Sequence, residues 1–182
     1  LFPFHTWLPD AHGSATTSSS AVLSGLVLKG YIVLLIKLMY RVYGFEVIRG
    51  MGVLPVLFGL GALAMIVGSI MAFRQTDLKR MIAYSSVAQI GYIFLGIGLG
   101  NAVGLTIACF HIIAHAFTKS MLFVSAGALI NATGGKKEIS DMAGGGRRGQ
   151  IPGTAFFVGA LSMVGVPFFA GFATKLFLAG DA

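Results

Sequence analysis

Long runs of apolar residues, separated by short polar connections, make up most of the chain. A membrane-spanning helix needs about 20 apolar residues to cross about 30 Å of hydrocarbon. These runs are apolar on every side, whereas membrane strands are about 10 residues long and alternate apolar with polar side chains. The pattern therefore predicts an all-α, polytopic transmembrane helix bundle of about five helices. The predicted spans are residues 15–40, 51–73, 81–99, 101–130 and 151–182, preceded by a loop at residues 1–14.

The fifth apolar run carries helix-breaking residues in its middle. Gly165, Pro167 and Gly171 interrupt it, and proline lacks the backbone N–H that a helix uses. Lipid offers no hydrogen-bond partner to freed backbone groups, so a broken helix must lie inside protein or beside water. We therefore expect two half-helices around a buried break at Pro167 and Gly171, an arrangement that accompanies the transport site in many transporters.

The composition favours lipid as the surrounding solvent. Charged residues make up 10% of the chain and hydrophobic residues 56%, whereas a soluble domain carries about 25% charged residues. The net charge of +7 does not indicate a nucleic-acid partner, because the cations stand singly between apolar runs instead of forming a stripe with aromatic residues. The single cysteine, Cys109, can form neither an internal disulfide nor a zinc or iron–sulfur site by itself. We expect any redox chemistry to lie in other chains.

Basic residues concentrate on one side of the predicted bundle. The connections after the second and fourth predicted helices hold Arg74, Lys79, Arg80, Lys136, Lys137, Arg147 and Arg148. The opposite side holds Arg41 and Arg49, with Lys37 near a helix end. Cytoplasmic loops of membrane proteins carry the excess of Lys and Arg, so this bias places residues 1–14 in the cytoplasm as well. Because the chain opens with Leu1 inside a proline-rich segment, we expect it to be an internal fragment of a longer protein.

Five titratable side chains fall at membrane depth in this prediction. They are Lys29, His111, His115, Lys119 and Lys175. A cation at the centre of a membrane helix costs roughly 3 kcal/mol on insertion scales, so such residues are candidates for function unless they can reach the interface. Lys29 lies near the middle of its predicted helix, where reaching the interface is difficult.

The fourth predicted helix places three of these groups on one face. His111, His115 and Lys119 follow at i, i+4 and i+8, which is about 6 Å per step and about 12 Å in all. That distance suits a proton relay bridged by water, because histidine titrates near neutral pH and a buried lysine can lose its charge. Two alternatives remain: hydrogen bonds that only join helices, and a metal site on the two histidines. The metal site lacks a suitably placed carboxylate, and Cys109 lies on a different face.

Three motifs carry a resemblance to a known family. They are Pro3-Phe4-His5-Thr6-Trp7-Leu8-Pro9-Asp10-Ala11-His12, then Gln75-Thr76-Asp77-Leu78-Lys79-Arg80-Met81-Ile82-Ala83-Tyr84-Ser85-Ser86, and His111 to Ser120 with His115, Ala116, Phe117 and Lys119 between them. In this order they resemble the antiporter-like membrane subunits of respiratory complex I (NADH:quinone oxidoreductase), Mrp-type cation/proton antiporters and membrane-bound hydrogenases. The likeness extends over essentially the whole chain.

The resemblance implies a fold and a role for each buried charge. Subunits of this family have about fourteen helices in two inverted five-helix repeats, and this chain resembles the eighth to twelfth. Lys29 stands where the family has its eighth-helix lysine or histidine, and His111, His115 and Lys119 match the eleventh-helix relay. Lys175 matches the twelfth-helix residue that passes protons to the outer side. The seventh-helix lysine and fifth-helix glutamate of the family would precede Leu1.

The implied function is proton translocation within a multi-subunit membrane complex of the NADH:quinone oxidoreductase type, in a prokaryotic inner membrane. No cofactor or metal is expected in this chain, and quinone, flavin and iron–sulfur clusters would belong to partner subunits. An Mrp-type sodium/proton antiporter or a membrane-bound hydrogenase subunit is the alternative. Sodium prefers oxygen ligands, whereas the five groups at membrane depth are all nitrogen bases, which favours protons. A non-pumping scaffold is the second alternative.

Overall fold

The computed structural model describes residues 6–181, and within that range the chain is mostly helical, with nine helices, a short 3-10 turn at Ser140–Met142 and no strand. The helices are α1 (Trp7–Ser14), α2 (Thr17–Tyr43), α3 (Phe45–Gly50), α4 (Val53–Phe73), α5 (Leu78–Gly98), α6 (Ala102–Ala132), α7 (Gly145–Arg148), α8 (Gln150–Val164) and α9 (Ala170–Asp181). Four of them, α2, α4, α5 and α6, are long and apolar enough to span a membrane. The protein is therefore a polytopic membrane helix bundle, as the apolar pattern predicted.

Helix α2 is continuous but not uniform. Two of its segments, Leu23–Val27 and Leu38–Tyr43, have the wider π-helical winding. The first segment is stabilised by packing against α6: the backbone at Gly25 approaches so closely that a Cβ there would lie 2.0 Å from the hydroxyl of Ser120. Such π segments are frequent at functional sites, and this one lies directly before Lys29.

Helices α4 and α5 pack backbone to backbone through glycines. A Cβ added at Gly91 would lie 2.6 Å from the carbonyl oxygen of Gly61, and one added at Gly68 would lie 2.6 Å from the backbone nitrogen of Ala88. Membrane helices associate largely through such close contact, because lipid removes the hydrophobic driving force. The small residues of these two helices therefore make a tightly joined pair.

Helix α6 is the central element and contacts α2, α5, α8 and α9. Asn101 caps its start, where the side-chain Oδ1 accepts a hydrogen bond of 2.6 Å from the backbone N–H of Gly104. At its other end the hydroxyl of Thr133 donates to the carbonyl of Leu129 at 2.9 Å. Its buried positions include the apolar residues Ile112, Phe123 and Ala126 together with polar ones.

The fifth apolar run forms two helices, α8 and α9, separated at residues 165–169. Gly165 ends α8 with φ of +88°, a left-handed conformation in which glycine has no Cβ penalty. Pro167 lies in the interruption itself, whereas Gly171 lies one turn further on, inside the start of α9. A Cβ at Gly171 would be 1.9 Å from the carbonyl oxygen of Ser162, so glycine there lets α9 lie against α8.

One end of the bundle gathers α1 and the basic connections. Trp7–Ser14 forms α1 in place of the loop expected there, and Lys79 donates to the carbonyl of Ala15 at 3.2 Å. The turn after α4 pairs with the segment after α6 through an isolated bridge between Asp77 and Glu138. Residues 133–150, which connect the fourth and fifth predicted spans, contain the short helix α7. The part of the first motif at residues 1–5 lies outside the described residues.

Candidate functional site

Three of the predicted relay groups lie on the buried face of α6. His111, His115 and Lys119 are 4%, 2% and 0% exposed, respectively. The imidazole rings of His111 and His115 have centroids 6.0 Å apart and planes inclined by 24°. Nε2 of His111 and both ring nitrogens of His115 are buried without a hydrogen-bond partner in the described part of the protein. A buried polar atom without a partner costs about 1–3 kcal/mol, so these nitrogens mark a polar interior that folding alone does not favour.

Lys119 is held against the neighbouring helix α5. Its Nζ donates to the carbonyl of Ile82 at 2.7 Å and to the hydroxyl of Ser85 at 2.6 Å. The hydroxyl of Ser85 itself donates to the Ile82 carbonyl at 2.8 Å, which leaves its oxygen free to accept from Lys119. Two charge-assisted hydrogen bonds therefore offset part of the cost of burying the ammonium group.

Lys29 is buried on α2 and donates to the backbone carbonyl of Ser24, which belongs to the adjoining π segment. The hydroxyl of Ser24 lies 3.2 Å from the hydroxyl of Ser86 on α5. Helix α2 packs against α6 at this segment, where the backbone of Gly25 meets the side chain of Ser120. Lys29 follows Gly25 by about one turn, on the helix that packs against the element carrying the three groups.

Lys175 occupies the break between the half-helices. It is half-buried on α9, and its Nζ donates to the carbonyls of Met163 and, at 3.1 Å, of Val164. These are the last residues of α8, whose carbonyls have no partner within their own helix. The same Nζ lies 5.2 Å from the ring centroid of Tyr92 on α5. The break therefore supplies the acceptors that hold this lysine.

Two further residues connect Lys175 to the histidines, and the sequence analysis did not identify them. Thr174 places its Oγ1 2.9 Å from Nδ1 of His111. The ring of Tyr92 lies 5.9 Å from the ring of His111, centroid to centroid, so it contacts both His111 and Lys175. A threonine hydroxyl and a tyrosine phenol do not ordinarily ionise near neutral pH. Ionisable groups at membrane depth in the sequence therefore do not include them.

A third residue that the sequence analysis did not identify is His12 on α1. It is 0% exposed, its ring stacks on Phe123 at 4.8 Å, and neither ring nitrogen has a partner in the described part of the chain. Burial, and then the charges of Lys119 and Lys29, lower the pKa of His12 to about 4. A surface depression of about 360 Å³ adjoins α1, lined by polar residues that include Gly13 and Arg80. His12 directly precedes Gly13, which lines this depression. The indication of His12 in the sequence is that the first motif contains two histidines.

The remaining chemistry of the described residues is sparse. No three His, Cys, Asp or Glu side chains within residues 6–181 are grouped so that they could hold a metal ion, and Cys109 is exposed. The buried polar and charged side chains of this range include three lysines, three histidines and several hydroxyl groups, but no carboxylate. The ion pair between Arg80 and Asp10, at 3.0 Å, lies on the surface. The buried polar side chains of the described residues are thus nitrogen bases, hydroxyl groups and the amide of Gln89.

Nearly the whole chain is similar to known membrane subunits. The family model described as NADH:quinone oxidoreductase/Mrp antiporter, TM, matches residues 1–180. Subunit N of the NADH-quinone oxidoreductase of Desulforudis audaxviator is 40% identical over 98% of this chain and 35% of its own length. Subunit M of the Rickettsia typhi enzyme is 36% identical over 94% of this chain and 34% of its own length.

Solved structures show the same relationship. A chain of an archaeal membrane-bound sulfane sulfur reductase superposes with a TM-score of 0.91 and 31% identity, covering all of this chain and 37% of that one. A chain of the Mrp complex from a Dietzia species superposes with a TM-score of 0.86 and 30% identity, over all of this chain and 33% of that one. The chain therefore spans about a third of the length of the relatives that it matches.

Proposed function

The chain belongs to the family of NADH:quinone oxidoreductase and Mrp antiporter membrane subunits, and from this membership we propose that it is the proton-translocating part of such a subunit. The proton carriers are Lys29, His111, His115, Lys119 and Lys175, which lie at membrane depth. The observation that carries the proposal is the row of buried titratable nitrogens on α6, with Lys29 on one side and Lys175 at the break. Burying these groups lowers the stability of the protein, so we attribute their presence to function.

The geometry supports a particular order of transfer. Lys119 lies at one end of the row, His115 and His111 follow along α6, and Lys175 adjoins His111 through Thr174 and Tyr92. Lys29 stands beside this row and delivers the proton to it. The two rings, 6.0 Å apart, are suitably spaced for a bridging water molecule, which would use the unpartnered nitrogens. Lys175 then acts as the terminal donor.

The break between α8 and α9 has a defined part in this mechanism. The terminal carbonyls of α8 carry the negative end of the helix dipole and bind the ammonium group of Lys175. They stabilise the charged lysine at a place where lipid would oppose it. Proton arrival at Lys175 is thereby favoured without a carboxylate partner.

The orientation of the chain follows from its basic end. The end that gathers α1, the turn at Asp77 and the segment at Glu138 carries most of the loop lysines and arginines. By the positive-inside rule this end faces the cytoplasm. We place the chain in a prokaryotic inner membrane. Protons would then enter near α1 and the surface depression beside it.

The whole complex supplies the driving reaction. We place the chain in a complex of the NADH:quinone oxidoreductase type, with other membrane subunits as partners. Quinone, flavin and iron–sulfur clusters would be held by those partners, and this chain would hold no cofactor or metal. The likeness to chains of an Mrp complex and of a sulfane sulfur reductase favours, as the second candidate, the same proton path driven by a different reaction. A membrane-bound hydrogenase subunit is a further alternative of this kind.

The experiment compares two lysines of α2 and one of α6 in the full-length subunit, assembled in its complex and reconstituted in vesicles. Lys29→Ala and Lys119→Ala remove buried carriers, whereas Lys37→Ala removes an exposed lysine eight residues after Lys29 on the same helix. We expect proton uptake to fall at least tenfold in the first two and to stay within twofold of wild type in the third. Normal proton transport by Lys119→Ala would refute the proposal and favour a scaffold. Proton transport that requires a sodium gradient would assign the chain to a sodium/proton antiporter.

A further inference from the structure

The hydroxyl group of Thr174 lies between the imidazole of His111 and the backbone of its own helix. Its Oγ1 is 2.9 Å from Nδ1 of His111 and 3.0 Å from the carbonyl oxygen of Gly171. Thr174 is 2% exposed and His111 is 4% exposed, so water does not reach this contact from the surface. One hydroxyl group thus meets two possible partners at hydrogen-bond distance.

The chemistry of the three groups selects one arrangement. A carbonyl oxygen can accept a hydrogen bond but never donate one, and a hydroxyl group has one hydrogen to donate. When Thr174 donates to Gly171, its oxygen can only accept from His111, and Nδ1 must then carry a hydrogen. With Nδ1 unprotonated, Gly171 and His111 would compete for the single hydrogen of Thr174, and one buried contact would be unpaired. The neutral Nδ1–H tautomer is the one in which both contacts are hydrogen bonds.

We propose that Thr174 is a positioning residue that holds neutral His111 as the Nδ1–H tautomer, so that His111 gains and loses its proton at Nε2. The part of this inference that concerns proton transfer rests on the proposed function, whereas the tautomer does not. Nε2 is the buried nitrogen of His111 that has no partner in the described structure. The next titratable ring along α6 is that of His115, at 6.0 Å.

This arrangement ties the relay to the broken helix. The carbonyl that engages the Thr174 hydroxyl belongs to Gly171, which also lets α9 approach Ser162 of α8. The half-helix therefore fixes His111 through its Nδ1, and Nε2 remains available for proton exchange. Thr174 itself takes up no proton.

The tautomer can be read directly in the wild-type protein. Full-length subunit labelled with ¹⁵N-histidine is reconstituted in bilayers, and nitrogen NMR shifts are recorded at a pH where His111 is neutral, with His111→Gln used to assign its signals. We expect the shift pattern of a protonated Nδ1 and an unprotonated Nε2. The reverse pattern in the wild type would overturn the proposal whether or not any variant folds.

Two substitutions of Thr174 separate positioning from packing. Thr174→Ser keeps the hydroxyl, and Thr174→Val keeps the size and shape but removes it. We expect the serine variant to retain the tautomer and to transport protons within twofold of wild type. We expect the valine variant to lose the Nδ1–H preference and to transport about tenfold more slowly. The control is Thr118→Val, a buried threonine of α6 whose hydroxyl bonds to Ala114 and Ser162 and, within residues 6–181, to no histidine.

The outcomes distinguish this inference from the proposed function. Normal transport by His111→Gln would refute the relay role of His111, while the wild-type shifts would still decide the tautomer. Normal transport by Thr174→Val together with loss of transport by His111→Gln would overturn the positioning role and keep the relay. An equal loss in Thr118→Val and Thr174→Val would show a packing effect and would also overturn it.

Discussion

The ammonium group of Lys119 lies 2.6 Å from the hydroxyl of Ser85, which is 34 residues away on the neighbouring helix α5. This contact places Lys119, which we propose as a proton carrier, against a residue that cannot titrate. Ser85 therefore acts on Lys119 by stabilising its charged form, since hydrogen bonds to ionised groups are roughly twice as strong as neutral ones.

Removal of this hydroxyl should slow transport without preventing assembly. Ser85→Ala leaves Lys119 with the Ile82 carbonyl as its remaining acceptor among the described residues, at a cost of about 1.5–3 kcal/mol for a bond to a charged group. We expect proton uptake in vesicles to fall at least tenfold, since about 1.4 kcal/mol corresponds to a factor of ten. Ser125→Ala is the matched control, because the hydroxyl of Ser125 bonds to carbonyls of its own helix. Equal rates for the two variants would contradict the role of Ser85.

The approach of α9 to α8 makes a sharp prediction at Gly171. In Gly171→Ala the new Cβ would lie 1.9 Å from the Ser162 carbonyl oxygen, so one half-helix must move. We expect Thr174 and Lys175 to lose their contacts and transport to fall at least tenfold. Gly180→Ala, in the same helix but with open space around the added Cβ, should transport normally. If the two variants behave alike, the half-helix contact is not needed for transport.

The burial of His12 predicts a pH-dependent stability. Its pKa is about 4 in the folded protein against about 6.5 when unfolded, so the unfolded state binds the proton more tightly. The contribution of neutral His12 is therefore complete above pH 6.5 and declines as the pH falls towards 4. By linkage, the wild type should lose about 2 kcal/mol more between pH 7.5 and pH 5 than a variant that cannot titrate there. Thermal unfolding in detergent at both pH values, compared with His12→Phe, measures this difference. A similar loss in His12→Phe would exclude His12 as its source.

The glycine contact between α4 and α5 should be sensitive to a single methyl group. Gly91→Ala would place a Cβ 2.6 Å from the Gly61 carbonyl oxygen, so the helices must separate. Overpacking of this kind typically costs 1–3 kcal/mol. Gly59→Ala, on α4 but facing open space, should be neutral or slightly stabilising, since alanine favours helix over glycine by about 1 kcal/mol. The unfolding temperatures of the two variants in the same detergent give the comparison.

The sequence predicted the parts of this fold that the membrane itself dictates. The runs that became α4, α5 and α6 must be about 20 apolar residues long, so their ends fall within three residues of the predicted ones. Helix α1 was not predicted because it is short and is stabilised by groups outside it. One of these is the hydroxyl of Ser20, which donates to the His12 carbonyl at 3.3 Å. The first π segment of α2, Leu23–Val27, likewise has no local signal, since it packs against α6.

The candidate site could likewise be predicted only in part from the sequence. Lys29, Lys119 and Lys175 stand out in the sequence because charge at membrane depth is costly. Their partners do not, because most of them are backbone carbonyls, such as those of Ile82 and Met163, which every residue possesses. Which carbonyl meets which lysine depends on how the helices pack, and a one-dimensional pattern contains no such information.

Lys119 and Lys175 share one feature of their hydrogen bonding that bears on turnover. An ammonium group has three N–H bonds, and each of these lysines directs two of them at fixed acceptors. The third hydrogen can leave while the other two bonds persist, so the resulting amine stays in place with its lone pair where the proton had been. In the proposed proton transfer, each lysine can therefore lose and regain a proton without a change in its side-chain conformation.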